Sequence, residues 1–189
     1  MIPDLATLSI LYLRSLEDIS SPIRDPSALR VVADQILEMA WAYQKDGEFF
    51  IRLDDPVNAL ASWCYGYGWL DAGSHLGLLS ATSAFIGFVG TIHHSHEEKL
   101  VEKTIRYERM LSAAASAIKD APDSSSPIFK ICATFREIVL TWQTNGEDHL
   151  MEGNFTPALA SFSYGYGWLD AGIRSGLFQI RGDRHLFTA

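Results

Sequence analysis

The amino-acid sequence predicts an all-α protein: two tandem three-helix up-down bundles related by pseudo-twofold symmetry. Apolar residues recur at helical spacing along most of the chain, and no alternating stretch is long enough to predict a useful strand. In addition, the phrase ALASWCYGYGWLDAG at residues 59–73 returns as ALASFSYGYGWLDAG at residues 158–172, a shift of 99 positions. A phrase repeated so closely indicates an internal duplication.

The duplication extends beyond this phrase. The same shift aligns residues 27–90 with residues 126–189. Identical pairs include Gln44 and Gln143, Gly47 and Gly146, and Phe88 and Phe187. The period is far longer than the 20–50 residues of solenoid repeats. We therefore predict two domains: residues 1–92, ending in an apolar tail, and residues 93–189.

The first helix of each copy is predicted from apolar spacing and from a capping signal. Leucines at helical spacing predict a helix over about 4–18, and its counterpart is expected over about 96–119. The stretch SHEE, from Ser95 to Glu98, has the spacing of a capping box, so we expect Ser95 to be the N-cap.

The second and third helices follow from another apolar stripe and two short turns. The second helix is expected over about 26–52, and its counterpart follows DAPDSSSP at 120–127 and ends near Glu152. Asp55 and Asn154 then stand where N-caps of the third helices are expected. Connections this short favour antiparallel neighbours.

The repeated phrase itself is apolar or small on nearly every face of a helix, which predicts a helix buried on all sides. Gly66 and Gly68 each cost about 1 kcal/mol relative to Ala inside a helix. Glycine at these positions allows another backbone, or an aromatic ring, to approach closely. We therefore expect the two copies of this helix to pack against each other at the centre of the protein.

Each copy of the phrase carries a carboxylate that would be buried, Asp71 or Asp170, with a tyrosine one turn earlier. A buried carboxylate must find hydrogen-bond donors or become protonated. In the structural interpretation, the aspartates anchor a tyrosine and tryptophan network. In the functional interpretation, they form a ligand pocket near the pseudo-twofold axis. The candidate ligand-binding residues are Tyr65, Tyr67, Asp71, Tyr164, Tyr166 and Asp170.

Composition and charge exclude several classes of protein. A hydrophobic content of 48% with 20% charged residues is typical of a globular chain, and the net charge of −8 argues against nucleic-acid binding. Cys64 and Cys132 form neither a disulfide framework nor a CxxC motif. The N-terminus lacks the basic region of a signal peptide, so a cytoplasmic location is expected.

Residues 76–92 are free of charge, but this run of 17 residues is at the lower limit for a membrane-spanning helix. It is rich in glycine, serine and threonine, and neither flank has a basic cluster. We expect this segment to pack on the protein, and we expect no membrane contact.

Two further patterns are weak. The histidines of IHHSHEE at 92–98 suggest a metal site, but an N-cap at Ser95 would separate them, so no metal or other cofactor is predicted. Arg181 and His185 suggest the arginine and histidine pair of helical RNases. They lie in an expected loop and have no copy in the first half. Catalytic residues are therefore unassigned.

The stretch YGYGWLDAGIRSGLF, the upstream WQTNGEDHLMEGNFTPALAS and the closing RGDRHLF resemble the archaeal domain of unknown function 357 family. The resemblance covers most of each half, and the C-terminal copy is the closer. It implies a three-helix bundle in each copy and no known reaction. The chain departs from the family pattern in holding two copies and in the apolar SATSAFIGFVG at 80–90.

Three functions stay open. The first is a helical interaction or scaffold protein with a protein partner or with further copies of itself. The second is a small-ligand-binding protein or enzyme that uses the paired tyrosine and aspartate sets. The third and weakest is a helical RNase.

Overall fold

The structure, a computed structural model, describes residues 4–80 and 85–188 and is mostly helical. Within these residues, six α-helices form two groups of three. The first group contains α1 (Leu5–Glu17), α2 (Ala28–Arg52) and α3 (Pro56–His75). The second contains α4 (Glu97–Ser116), α5 (Phe129–Met151) and α6 (Phe155–Arg174). The bounds of α3 and α6 differ by the same 99 positions as the repeated phrase, so the duplicated sequence forms duplicated elements.

The all-α prediction missed one small feature. Two three-residue strands, β1 (Ile118–Asp120) and β2 (Phe178–Ile180), pair antiparallel, with Lys119 opposite Gln179. They join the segment after α4 to the segment after α6. Strands this short carry no readable alternation, because a period of two needs more than three residues to stand out.

The first group joins the equivalent segments without a strand pair. The backbone N–H of Ser80 donates to the carbonyl of Ser20 at 2.7 Å, and these positions align with Gln179 and Lys119 of the β1–β2 pair. The Ser21 hydroxyl donates to the carbonyl of Leu78 at 2.8 Å, so a side-chain hydroxyl supplies the second bond.

The expected N-cap at Ser95 is wrong. A short 3₁₀ turn, His94–His96, precedes α4, which begins at Glu97. The imidazole Nδ1 of His93 accepts a hydrogen bond from the backbone N–H of Ser95 at 3.3 Å. The ring of His93 therefore caps the preceding turn.

At the third helices, one of the two expected caps forms. Asp55 accepts from the backbone N–H of Asn58 at 3.2 Å. Asn154 occupies the N-cap position of α6, but its side-chain amide donates to Glu152 at 2.9 Å and makes no cap hydrogen bond.

Helices α3 and α6 are the core of the protein, as predicted. Every residue from Ala59 to Gly73 is buried, and so is every residue from Ala158 to Gly172. The two helices pack against each other, with Gly68 directly against Gly167. Gly66 has a different role: a Cβ there would overlap the Tyr12 hydroxyl, which donates to the carbonyl of Ala40 at 2.7 Å.

The uncharged run at 76–92 is described only in part, since residues 81–84 lie outside the described residues. Helix α3 ends before it, at His75. Phe85 and Phe88 are buried, whereas the Ile86 side chain is 94% exposed. Among the described residues, we find no helix with the length and apolar content that a membrane crossing requires.

Candidate functional site

The tyrosines and aspartates of the repeated phrase pair across the two repeats. The Tyr65 hydroxyl donates to Asp170 Oδ2 at 2.5 Å, and the Tyr164 hydroxyl donates to Asp71 Oδ2 at 2.7 Å. Helices α3 and α6 run antiparallel where Gly68 and Gly167 meet. The residues before each of these glycines therefore lie opposite the residues after the other, which explains the reciprocal pairing. The six candidate residues therefore divide into two clusters.

The Asp71 cluster is filled by an aromatic ring from the segment after α3. The backbone N–H of Phe85 donates to Asp71 Oδ2 at 2.9 Å. The Phe85 ring stacks on Tyr164 with 4.7 Å between centroids, and its centroid is 5.3 Å from that of Tyr67 and 5.5 Å from that of Trp142. The carboxylate is thus closed off from solvent by an apolar side chain of the protein itself.

In the Asp170 cluster, the residue whose backbone N–H binds the carboxylate is Thr188. Its backbone N–H and its hydroxyl both donate to Asp170 Oδ2, at 3.2 Å and 2.6 Å. The Tyr65 hydroxyl also contacts the Thr188 hydroxyl. The second carboxylate oxygen, Oδ1, is buried and has no hydrogen-bond partner within residues 4–80 and 85–188. Only one of the two carboxylate oxygens of Asp170 therefore accepts hydrogen bonds from the described part of the chain.

Burial raises the pKa of Asp170 above its ordinary value of 3.8. Hydrogen bonds from Thr188 and Tyr65, and the positive charge of Arg174, act in the opposite direction and do not cancel the effect of burial. The protonated form of this carboxyl is therefore more favoured than that of an exposed aspartate.

The remaining two candidates, Tyr67 and Tyr166, have different partners. Tyr166 donates to the backbone carbonyl of Leu186 and so ties the C-terminal segment to α6. Tyr67 packs against Tyr12 of α1, with 4.4 Å between ring centroids. Burial raises the pKa of both phenols, so both stay protonated at neutral pH.

A cavity of about 120 Å³ lies beside the Asp170 cluster. Its walls are aromatic side chains of both repeats, and residues 185–188 form part of its lining. Its principal lining residues are Tyr43, Tyr65, Tyr107, Met110, Tyr166, His185, Phe187 and Thr188. The rings of Tyr43 and Tyr65 are 4.4 Å apart between centroids. The sequence thus identified two of the tyrosines in this lining, Tyr65 and Tyr166.

Sequence reasoning missed Tyr43, Tyr107, Phe85 and Thr188. One signal was available for the first, because Tyr43 aligns with Trp142 in the second copy and both positions are aromatic. Phe85 and Thr188 had no such signal, since the 99-position shift does not align them with each other. What the two residues share is a backbone N–H that donates to an aspartate of the repeated phrase.

The two weaker patterns do not assemble into a site. Throughout residues 4–80 and 85–188, no group of three or more histidine, cysteine, aspartate or glutamate side chains could hold a metal ion. His185 lines the tyrosine cavity, but Arg181 is not among its lining residues. The backbone N–H of Arg181 donates instead to the carbonyl of Ala117.

Comparison with known proteins identifies the family. A family model described as a protein of unknown function, DUF357, matches residues 11–79 and 106–178. These segments comprise about three quarters of the chain, one in each repeat, and the second ends before RGDRHLF. No curated protein and no solved structure matches the chain. The chain belongs to the DUF357 family of proteins of unknown function, in two tandem copies.

Proposed function

We propose that this protein is a helical interaction protein that associates with further copies of itself, and that its Tyr/Asp pairs join the two repeats. The observation that supports the second part is the reciprocal pairing of Tyr65 with Asp170 and of Tyr164 with Asp71. Each carboxylate accepts from a tyrosine of the other repeat and from a backbone N–H. Groups used in this way stabilise the core.

We also propose that the two repeats are related by an approximate twofold axis through the crossing of α3 and α6. Three relationships support it: the two Tyr/Asp pairs are reciprocal, Gly68 and Gly167 meet each other, and the segments after α3 and α6 each reach a carboxylate. Each isolated repeat would be a small bundle with little core of its own, so joining the repeats buries the faces that each would expose.

The proposed surface for self-association is the C-terminal end of α2. Phe49 and Leu53 are one helical turn apart, and 49% and 59% of their surfaces are exposed. The aligned positions in the second repeat carry Asp148 and Glu152. The apolar pair is thus a feature of the first repeat alone. A twofold contact of this surface with itself would bury both copies of the pair.

Sedimentation velocity over a range of protein concentrations tests this proposal. The wild-type protein should show a mass that rises with concentration, and the variant Phe49→Ser/Leu53→Ser should remain a single chain. The control is Val31→Ser/Leu140→Ser, which removes two apolar side chains that are similarly exposed, at 57% and 55%, near the start of α2 and on α5. A wild-type protein that stays a single chain throughout, or a patch variant that still associates, would contradict the proposal.

A second function, binding of a small molecule, is favoured by one difference between the clusters. The Phe85 ring packs among the aromatic side chains beside Asp71, whereas Thr188, whose backbone N–H binds Asp170, has no ring and a cavity lies among the aromatic side chains there. This cavity has room for a ligand.

A further inference from the structure

We infer that the cavity between Tyr43, Tyr65, Tyr107 and Tyr166 binds a compact organic cation, such as an amine or a methylated ammonium group. This inference rests on the second function above and names the chemical class of the ligand. Three features support it. The Phe85 ring fills the equivalent space beside Asp71, the Asp170 carboxylate lies behind the cavity wall, and aromatic faces line the cavity.

The Asp71 cluster shows which kind of group packs in the equivalent space of the first carboxylate. There, the ring of Phe85 packs against Tyr164, Tyr67 and Trp142 while its backbone N–H binds the carboxylate. The corresponding residues of the Asp170 cluster are Tyr65, Tyr166 and Tyr43. Thr188 supplies the backbone N–H to this carboxylate but carries no ring. A group with an apolar body therefore fits between the tyrosines.

The charge of the site favours a positive ligand. Asp170 is fully buried, and its Oδ1 has no hydrogen-bond partner in the described part of the chain. Two residues that bind this carboxylate, Tyr65 and Thr188, also line the cavity. Burial raises the pKa values of Tyr65 and Tyr43, and the negative charge of Asp170 raises them further. Through Tyr65 and Thr188 the carboxylate therefore lies directly behind the cavity wall.

Aromatic faces add a second attraction for a cation. A cation within about 6 Å of a tyrosine centroid is attracted by the negative face of the ring, and more strongly where water is excluded. The protein already uses this contact once at the cluster: the Lys103 ammonium is 4.7 Å from the centroid of Tyr107. Lys103 is not among the lining residues, so its ammonium does not occupy the cavity.

Isothermal titration calorimetry with tetramethylammonium chloride tests the inference. The neutral comparison is tert-butyl alcohol, which has a similar size and shape, and sodium chloride controls for ionic strength. We expect saturable binding of tetramethylammonium at one site per chain and at least tenfold weaker binding of the alcohol. Equal binding of both would overturn the cation class and leave the second function standing. Binding of neither would overturn both.

Two variants locate the binding. Asp170→Asn keeps the shape of the side chain and removes its charge, so it should weaken tetramethylammonium binding at least tenfold. Asp148→Asn removes one exposed carboxylate from α5 and is the matched control. Thr188→Phe should fill the cavity as Phe85 does on the other side and should abolish binding, and it should lower thermal stability because it removes the hydroxyl that donates to Asp170. Unchanged binding in Asp170→Asn or Thr188→Phe would contradict the inference.

Discussion

Gly68 of α3 and Gly167 of α6 meet each other at the centre of the protein, so close that neither has room for a side chain. A Cβ added to Gly68 would lie 2.9 Å from the Cα of Gly167, and a Cβ added to Gly167 would lie 3.0 Å from the Cα of Gly68. Each would also overlap a backbone carbonyl oxygen of the opposite helix, that of Tyr164 or that of Tyr65. Backbone atoms cannot move aside as a flexible side chain can.

Replacing a central glycine should therefore destabilise the protein, although alanine is the better helix former by about 1 kcal/mol. We expect Gly167→Ala to lower the free energy of unfolding by about 1–3 kcal/mol or more, through overpacking. Gly165→Ala is the matched control in the same helix, because its Cβ would lie 3.3 Å from the end of the Leu111 side chain. Urea denaturation of both variants measures the difference. Equal stability of the two variants would contradict a backbone contact at the crossing.

The cross-repeat hydrogen bonds can be measured by double-mutant cycles. Tyr65→Phe leaves Asp170 with fewer donors, and it should cost about 1–3 kcal/mol because a buried acceptor loses its partner. Combined with Asp170→Asn, it should show a coupling energy of about 0.5–3 kcal/mol.

Tyr164→Phe combined with Asp170→Asn is the control cycle, because the Tyr164 hydroxyl binds Asp71. We expect the effects of these two changes to be close to additive. Equal coupling in both cycles would mean that the pairing across the repeats is not the one described.

The buried carboxyl of Asp170 should make stability depend on pH. Burial raises its pKa in the folded state above the ordinary 3.8, so the folded protein keeps this proton to higher pH than the unfolded chain. The stabilisation from this group is therefore complete below pH 3.8, and it is lost as the pH rises through the raised pKa. Asparagine at position 170 does not titrate. The stability of the wild type minus that of Asp170→Asn should fall as the pH rises.

Urea denaturation at intervals between about pH 2 and pH 8 measures this difference and covers the titration of both carboxyl groups. Asp123 provides a control of opposite sign, since hydrogen bonds from Ser125 lower its pKa. The stability of the wild type minus that of Asp123→Asn should rise as the pH rises through that lowered pKa. A difference for Asp170→Asn that stays constant or rises would contradict the effect of burial.

A second pair of close contacts joins α2 to α3 in the first repeat and α5 to α6 in the second. A Cβ on Gly47 would overlap the indole of Trp63, and one on Gly146 would overlap the ring of Phe162. We expect Gly47→Ala to destabilise the protein by about 1–3 kcal/mol. Trp63→Ala, which removes the ring that a Cβ on Gly47 would overlap, should make Gly47→Ala less costly. Thermal unfolding of the two single variants and the double variant tests this coupling, and additive losses would speak against it.

Much of the fold could be predicted because the spacing of apolar residues and the repeated phrase are local features of the sequence. The spacing of apolar residues located the helices, and the doubled phrase identified two copies of one bundle. Its apolar character on all faces predicted that both helices are interior, as the burial of residues 59–73 and 158–172 confirms. Ser95 was misassigned because its hydroxyl is hydrogen-bonded to His93 Nδ1 at 2.9 Å and the residue lies in a 3₁₀ turn before α4, which a capping pattern does not reveal.

The amino-acid sequence alone determined which residues form helices, which helices are buried, and that the chain carries two copies of a DUF357 unit. Only the tertiary structure decided which tyrosine binds which aspartate, because Tyr65 and Asp170 lie far apart in the chain and meet through the antiparallel crossing of two helices. It alone also decided that Phe85 closes one cluster while Thr188 leaves a cavity at the other. Helical periodicity is a property of neighbouring residues, whereas contacts between repeats depend on how whole helices pack.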